Sequence, residues 1–483
     1  MNSYVWLQVL YMKTAFSGLA GAARQIEGSR IAGTVSGVLG LTLTAKGVER
    51  ALGIGARCTV HGARGPVLGE VVAVDAGGVS VLPFGTWDGV VVGDPITSSP
   101  RGDVVRPTMG WVGRVVDALG VPIDGRGPLF DGTEARAVKS PPPPAFDRRR
   151  VGARIDTGIK TMDIFTPLCR GQRMGVFAGS GVGKSSLMAM LARGAQADVI
   201  VVGLVGERGR EVQDFIQGDL GPEAMERCVL VVSTGNEPPL MRRQAAWTAT
   251  AVAEHFRDAG LQVLLLIDSV TRFAMAQREI GLAAGEPPTA KGYPPTVFAE
   301  LPQLMERAGP GNGKGGDITG IYTVLVDGDD MNDPIADSVR GILDGHVVLD
   351  RQIAERGRFP AINLLKSVSR MLPDCHQPAE YAVLAAARRV IAKYVDMEEL
   401  IRMGAYKPGS DPDIDAAIRF ADPLEAFLTQ RKHEAMLADQ SFAEVYRLLG
   451  EAGIEVALPG QNQPKPLRQS LPAQQAVQAA TRY

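Results

Sequence analysis

The sequence predicts an α/β protein in three parts: a small N-terminal β-barrel, a central parallel α/β domain and a C-terminal helical domain. Three observations carry this. Short strands broken by glycine fill residues 31–100; fully apolar runs alternate with helical stretches through the middle; beyond about Gln377 no strand signal remains. At 483 residues the chain is long enough for two or three cores.

Residues 1–30 hold the apolar stretch Tyr4 to Met12, with no basic residue before it and no small-residue cleavage site at the usual place after it, which argues against a signal peptide. Two readings stand side by side for it: an amphipathic helix that docks on a partner or a membrane surface, or a disordered leader. Met12 is an alternative start. Residues 31–100 follow, with strands at Ile31 to Val35, Leu39 to Thr44, Glu70 to Val74 and Val79 to Leu82 and a turn at Ala76-Gly77-Gly78; this spacing suits a small closed barrel.

Residues 101–376 form the central domain, opening on a connector whose Pro141-Pro142-Pro143-Pro144 run is a stiff extended spacer. The apolar runs Val199 to Val205, Val229 to Val232, Val263 to Ile267 and Ile321 to Val326 read as strands buried on both faces of a parallel sheet, with a helix over Ala245 to Asp258 among them. Residues 377–457 read as helices over Tyr381 to Met403, Asp413 to Arg431 and Phe442 to Ala452, with Pro408 to Pro412 as a loop. The tail, 458–483, is rich in Pro and Gln and reads as disordered.

Charge is balanced, with a formal net of −2, so a basic nucleic-acid surface is not indicated. Cys58, Cys169, Cys228 and Cys375 stand far apart without CxxC spacing, which argues against a zinc site or a disulfide framework and fits a reducing cytoplasm. Cys375-His376 is an isolated pair of ligand types and reads as a loop or core position. No stretch is long enough to span a bilayer.

The chemistry starts at Phe177-Ala178-Gly179-Ser180-Gly181-Val182-Gly183-Lys184-Ser185-Ser186, entered by the apolar strand Met174 to Phe177 and left by the helix-prone Leu187 to Arg193. That is the layout of a phosphate-binding loop. Glycines let backbone N–H groups approach phosphate oxygens, Lys184 reaches the β- and γ-phosphates, and Ser185 offers a hydroxyl to Mg²⁺. Ala178 stands where the common pattern has Gly. Hydrolysis also needs a second acid at a neighbouring strand end; Asp268 closes Val263 to Ile267 and fits, although alone it would read as a cap. A group must orient or deprotonate water. Glu207, first acid after the strand Val199 to Val205, is the candidate base, while Glu211 pairs with Arg208 or a helix surface.

Several runs surround this loop. They are Gly113 to Gly120, Asp156 to Lys160, Gly171-Gln172-Arg173, Gly206-Glu207-Arg208-Gly209-Arg210-Glu211, Asp268 to Phe273, Gly285 to Pro288, Gly292 to Pro295, Asp329 to Asp337, and Pro360 to Asn363 leading to Ser367-Val368-Ser369-Arg370. Over residues 30–435 the chain resembles the hexameric ATPases related to the catalytic subunits of rotary ATP synthases, and most of all the flagellar protein-export ATPases of the type III secretion group. Val after the second Glu of the Gly-Glu-Arg-Gly-Arg-Glu run favours export ATPases over synthase subunits; Val339 to His346 and Gly404-Ala405-Tyr406 look more flagellar than virulence-type.

The resemblance implies a P-loop (RecA-like) central domain that hydrolyses ATP with Mg²⁺. It implies that Lys184 is the loop lysine, Ser185 and Asp268 hold Mg²⁺, and Glu207 polarises water. It puts Arg208 and Arg272 near the γ-phosphate, makes Arg370 an arginine finger given in trans, and stacks Phe359 on adenine, where the family often has Tyr. Phe427 reads first as core and second as an adenine contact. Asn363 replaces a frequent Asp, and Lys366 sits in a run that is usually apolar or small.

As partners the resemblance implies a homo-hexamer, a regulator on the N-terminal segment, a coiled-coil stalk in the central pore touching the Asp329-Asp330 loop, and the export gate with export substrates or chaperones. It implies a cytoplasmic protein peripheral to the inner face of the membrane. Low charge and the lack of an aromatic single-strand platform argue against a Rho-like RNA motor, which shares this core; intact Lys184, Glu207 and Asp268 argue against a non-catalytic ring subunit.

Overall fold

Alternation of apolar and polar residues closes the N-terminal strands on themselves. In the computed structural model, which describes residues 32–99, 103–312, 315–326, 328 and 330–458, β1 (Ala32–Leu39), β2 (Thr42–Lys46), β3 (Arg57–Gly62), β4 (Gly65–Asp75), β5 (Gly78–Pro83) and β6 (Pro95–Ser98) form a closed barrel in the order β1-β2-β5-β4-β3-β6. Val35, Leu43, Val60, Val71, Val81 and Ile96 fill its interior. Register shifts at Val35/Gly37 and Val71/Ala73 bend the strands that must curve to close it. The N-terminal segment expected to bind a partner and the Pro/Gln tail from 459 onward lie outside the described residues, as does Asp329.

Two ribbons, β7 (Val104–Val105) with β9 (Arg136–Ala137) and β10 (Arg154–Ile155) with β11 (Leu168–Cys169), flank the main sheet. That sheet has eight strands: β8 (Val115–Asp117), β12 (Arg173–Ala178), β13 (Val199–Glu207), β14 (Cys228–Thr234), β15 (Val263–Asp268), β16 (Ile318–Leu325), β17 (Gly345–Leu349) and β18 (Val368–Ser369). Their order is β18-β17-β12-β16-β15-β13-β14-β8, and all pairs are parallel except β17 with β18. The connector therefore does more than space two domains, since it donates β8 to the sheet edge.

The unbroken apolar runs are explained by burial on both faces. Along β15, Val263, Leu265 and Ile267 enter a core with Trp247 and Phe273, while Leu264 and Leu266 enter the opposite one with Met188 and Leu191. The helix Pro239–Asp258 covers the first face and Lys184–Gly194 the second.

The C-terminal helices Pro378–Arg402, Pro412–Leu428 and Ala438–Glu451 bury Leu384, Phe420, Leu424, Val445 and Leu449 in a core of their own. Gln377 and Glu380 form a capping box on the first, and the Asp411 side chain caps the second. Ile164 and Phe165 of the helix Lys160–Phe165 join that core, so the helical domain grips the segment just ahead of β12. Gln430 strengthens the grip, accepting from the Lys160 N–H at 3.2 Å and donating to the Gly158 carbonyl at 2.7 Å. Among the described residues no helix is long and apolar enough to cross a membrane.

Candidate active site

Parallel pairing delivers the carboxyl ends of β12, β13, β15 and β16 to one edge of the sheet. At the end of β12 the chain turns through Gly181 (φ 79°) and Gly183 (φ 99°), left-handed conformations that glycine adopts without strain, and enters the helix at Lys184. Gly179, Ser180, Gly181, Val182 and Gly183 thus wrap a helix N-terminus, an anion-binding geometry. The Ser180 carbonyl is tied to Arg351 Nη2 at 3.1 Å, Val182 is buried, and Ser185 on the first turn is exposed with its hydroxyl uncommitted among the described residues.

Lys184 Nζ donates to Glu207 Oε1 at 3.2 Å and to Asp268 Oδ1 at 2.5 Å. Burial pulls the ammonium pKa down, but Asp268 and Glu207 outweigh it and leave Lys184 above the ordinary lysine value. Glu207 ends β13 after a register shift at Gly206 (φ 70°), a bulge that aims its carboxyl back at the loop. Burial raises the Glu207 pKa to about 7; Lys184 opposes the rise and Asp268 adds to it. Glu207 also shares a hydrogen bond with Glu211, whose own pKa that bond lowers.

Asp268 closes β15 and is 3% exposed. Among the described residues both side-chain donors to it, Lys184 Nζ and Thr323 Oγ1 (2.7 Å), fall on Oδ1, leaving Oδ2 for a further ligand. An uncommitted serine hydroxyl and a free carboxylate oxygen are the hard oxygen donors Mg²⁺ takes, so the residues present fit that ion.

Arg272 lies in the first turn of the helix Val270–Ala283, its side chain against Gly206, with Nε buried and without a hydrogen-bond partner among the described residues. Arg208 is well exposed and leans on Glu211 at 3.5 Å. Phe359 is 44% exposed and, with Gly183, Ser186, Leu187 and Met190, lines a cavity of about 410 Å³ beside the loop helix. Phe427 does not line it; its ring packs on the helical core under Lys160 Nζ, 4.8 Å from the ring centroid.

Arg370 does not join this group. It follows β18, and its N–H donates to the Asp344 carbonyl at 2.9 Å, beside Arg173 at the start of β12. Ser369 holds that strand down, donating to the Pro167 carbonyl (2.8 Å) and accepting from Gln172 Nε2 (3.1 Å). Arg370 itself is exposed on a cavity of about 930 Å³ that Arg148, Arg173 and Asp344 also line. The two departures from the family pattern share one partner: Asn363 Nδ2 donates to Asp350 Oδ2 at 3.0 Å and Lys366 Nζ sits 3.5 Å from it.

Sequence reasoning passed over Glu211 as a partner of Glu207 and did not single out Thr323. The signal for Thr323 was there: a hydroxyl inside the run Ile321 to Val326, which is otherwise apolar apart from the Tyr322 hydroxyl.

A family model for the ATP synthase alpha/beta family, nucleotide-binding domain, matches residues 158–369, and one for the T3SS EscN ATPase C-terminal domain matches residues 376–446. The chain is 53% identical over 437 residues to a flagellum-specific ATP synthase of Caulobacter vibrioides, covering 89% of this chain and 98% of that protein. Among solved structures it is similar to the assembled ATPase EscN of the enteropathogenic E. coli type III secretion system (TM-score 0.81, 39% identity, 86% of this chain and 100% of that one). It is also similar to EscN in complex with its central stalk EscO (TM-score 0.78, 38% identity, 86% and 100%). By these measures the chain belongs to the flagellum-specific ATP synthase family and is an ATPase of the type III export group.

Proposed function

We propose that this chain hydrolyses ATP with Mg²⁺ as one subunit of a homo-hexameric ring that energises flagellar protein export. The observation that carries the reading is the meeting of Lys184, Glu207 and Asp268 at one sheet edge, with Arg370 held at the other. The names of the curated relatives favour the flagellar branch over the virulence branch.

The roles follow from chemistry. Backbone N–H groups of Gly179 to Gly183 cradle phosphate, and Lys184 leaves its two carboxylates for the β- and γ-phosphate oxygens. Ser185 and Asp268 would hold Mg²⁺, which would supply neutralisation of the phosphate charge. Glu207, freed from Lys184, orients the attacking water and takes its proton. Arg272 turns its spare donor, and Arg208 its exposed guanidinium, toward the γ-phosphate. Phe359 stacks on adenine. Arg370 is given to the nucleotide of the neighbouring subunit, where charge grows in the transition state.

The partners in this reading are a regulator on the N-terminal segment, the export gate with its substrates or chaperones, and a coiled-coil stalk in the ring's pore, the last supported by the complex of EscN with its central stalk EscO. The ring would work in the cytoplasm against the inner face of the membrane. The experiment is Glu207→Gln in the full chain. Nucleotide binding is expected to persist while turnover falls by roughly 10²–10⁴-fold, and the variant should not restore export in a strain lacking its own copy. Normal turnover would remove Glu207 as the base.

A further inference from the structure

We infer that Thr323 is a positioning residue for the cation site, its hydroxyl fixing the Asp268 carboxylate once Lys184 has left it. This rests on the reading of Asp268 as the Mg²⁺ acid. β16 runs between β12, which leads into the phosphate loop, and β15, which ends on Asp268. Tyr322 pairs with Ile267, so Thr323 stands level with Asp268 at the carboxyl edge. It is fully buried, and its Oγ1 donates to Asp268 Oδ1 at 2.7 Å, with the Ile267 carbonyl farther off at 3.4 Å.

A valine would fill the same space in this strand, and Ile321 and Val324 beside it are apolar. The hydroxyl is therefore present for its bond, because an unpaired buried hydroxyl is destabilising. Lys184 and Thr323 share Oδ1. A loop lysine must leave to reach phosphate. Once it does, Thr323 is the remaining side-chain donor on Asp268 among the described residues. Without it the carboxylate is free to rotate, and a cation must then order it on binding. With it, Oδ1 stays engaged and Oδ2 is presented. Partners of this kind behind a metal ligand are commonly worth about 10–100-fold in metal affinity.

The test titrates Mg²⁺ against binding of a fluorescent ATP analogue to the full chain, with Thr323→Val, Thr323→Ser and Asp268→Asn measured beside the parent. Thr323→Val is expected to raise the Mg²⁺ midpoint by roughly tenfold or more. Binding without Mg²⁺ should stay unchanged, and turnover should recover at excess Mg²⁺. Thr323→Ser, which keeps the hydroxyl, should stay close to the parent. An unmoved midpoint in Asp268→Asn would sink the reading of Asp268 and the inference with it. A shift in Asp268→Asn with none in Thr323→Val would overturn the inference alone, as would a serine variant that shifts as far as valine. If the valine variant does not fold, Thr323→Ala deletes the same hydroxyl with a smaller side chain and is judged by the same midpoint.

Discussion

Arg370 and Lys184 stand at opposite edges of one sheet. Arg370 is bonded to Asp344 beside Arg173, where β12 begins, and Lys184 follows the loop where β12 ends. The strand between is six residues long, about 17 Å at the usual rise. No side chain spans that gap within one chain. If Arg370 acts on a phosphate, it acts on another subunit's phosphate.

Mixing variants tests this directly. Lys184→Ala and Arg370→Ala should each be inactive alone as full chains. Co-assembled, some interfaces pair an intact Lys184 with an intact Arg370, and ATPase activity should return in proportion to their number. No recovery at any mixing ratio, with mixed rings verified by mass, would count against a shared site.

The Glu207–Glu211 pair predicts a pH limb. Burial and Asp268 hold the Glu207 pKa up at about 7, against the pull of Lys184, and Glu211 accepts its hydrogen bond. A base must be ionised, so kcat/KM should rise with pH through about 7, falling about tenfold per unit below it. Glu211→Gln removes the acceptor carboxylate that favours a protonated Glu207. Its limb should therefore move to lower pH; a limb that stays in place would uncouple the pair.

Much of this site was legible because its chemistry is local in sequence. Gly179 to Ser186 is one turn, and Asp268 and Glu207 close apolar runs whose period announces buried parallel strands. What stayed hidden depends on pairing across the sheet. Thr323 meets Asp268 only because β16 lies beside β15, and nothing in either run fixes that order. Glu211 is readable as a partner of Arg208, and it does touch Arg208, but it also shares a hydrogen bond with Glu207. The connector strand β8 is three residues long, too short for its period to show in the sequence. Asn363 and Lys366 are three positions apart in sequence, and only the fold gives them Asp350 as a common partner.

Phe359 and Phe427 separate by environment. Phe359 faces the cavity beside the loop helix, and Phe427 packs on the helical core. Phe359→Ala should weaken ATP by about 1–3 kcal/mol, the usual worth of a base stacked on an aromatic ring, and Phe359→Tyr should hold affinity. Phe427→Ala should instead lower the melting temperature with little change in nucleotide Kd. A Kd loss at Phe427 equal to that at Phe359 would return Phe427 to the adenine site.

The junction of barrel and sheet domain rests on a buried charge cluster. Glu70 on β4 takes Arg243 Nη2 at 2.6 Å and stands 3.7 Å from Arg57 Nη2, which also reaches Asp103 at 2.8 Å. Arg57, Glu70 and Arg243 are each 7% exposed, and the Arg57 guanidinium sits 3.9 Å over the Phe84 ring. The central carboxylate is thus shared by two guanidiniums from two domains. Removing it leaves Arg243 without its acid and Arg57 with Asp103 alone. Losing one partner of a buried ion pair typically costs about 3–5 kcal/mol, because the remaining charge stays desolvated. Glu70→Gln keeps the volume and one acceptor, so its loss in chemical denaturation should be the smaller, and Glu70→Ala should approach the full figure. Replacing the pair together, Glu70→Leu with Arg243→Met, should recover much of the stability, because no charge is then stranded. If Glu70→Ala alone changes stability by less than about 1 kcal/mol, the cluster behaves as a solvated surface pair and apolar contacts hold the barrel in place.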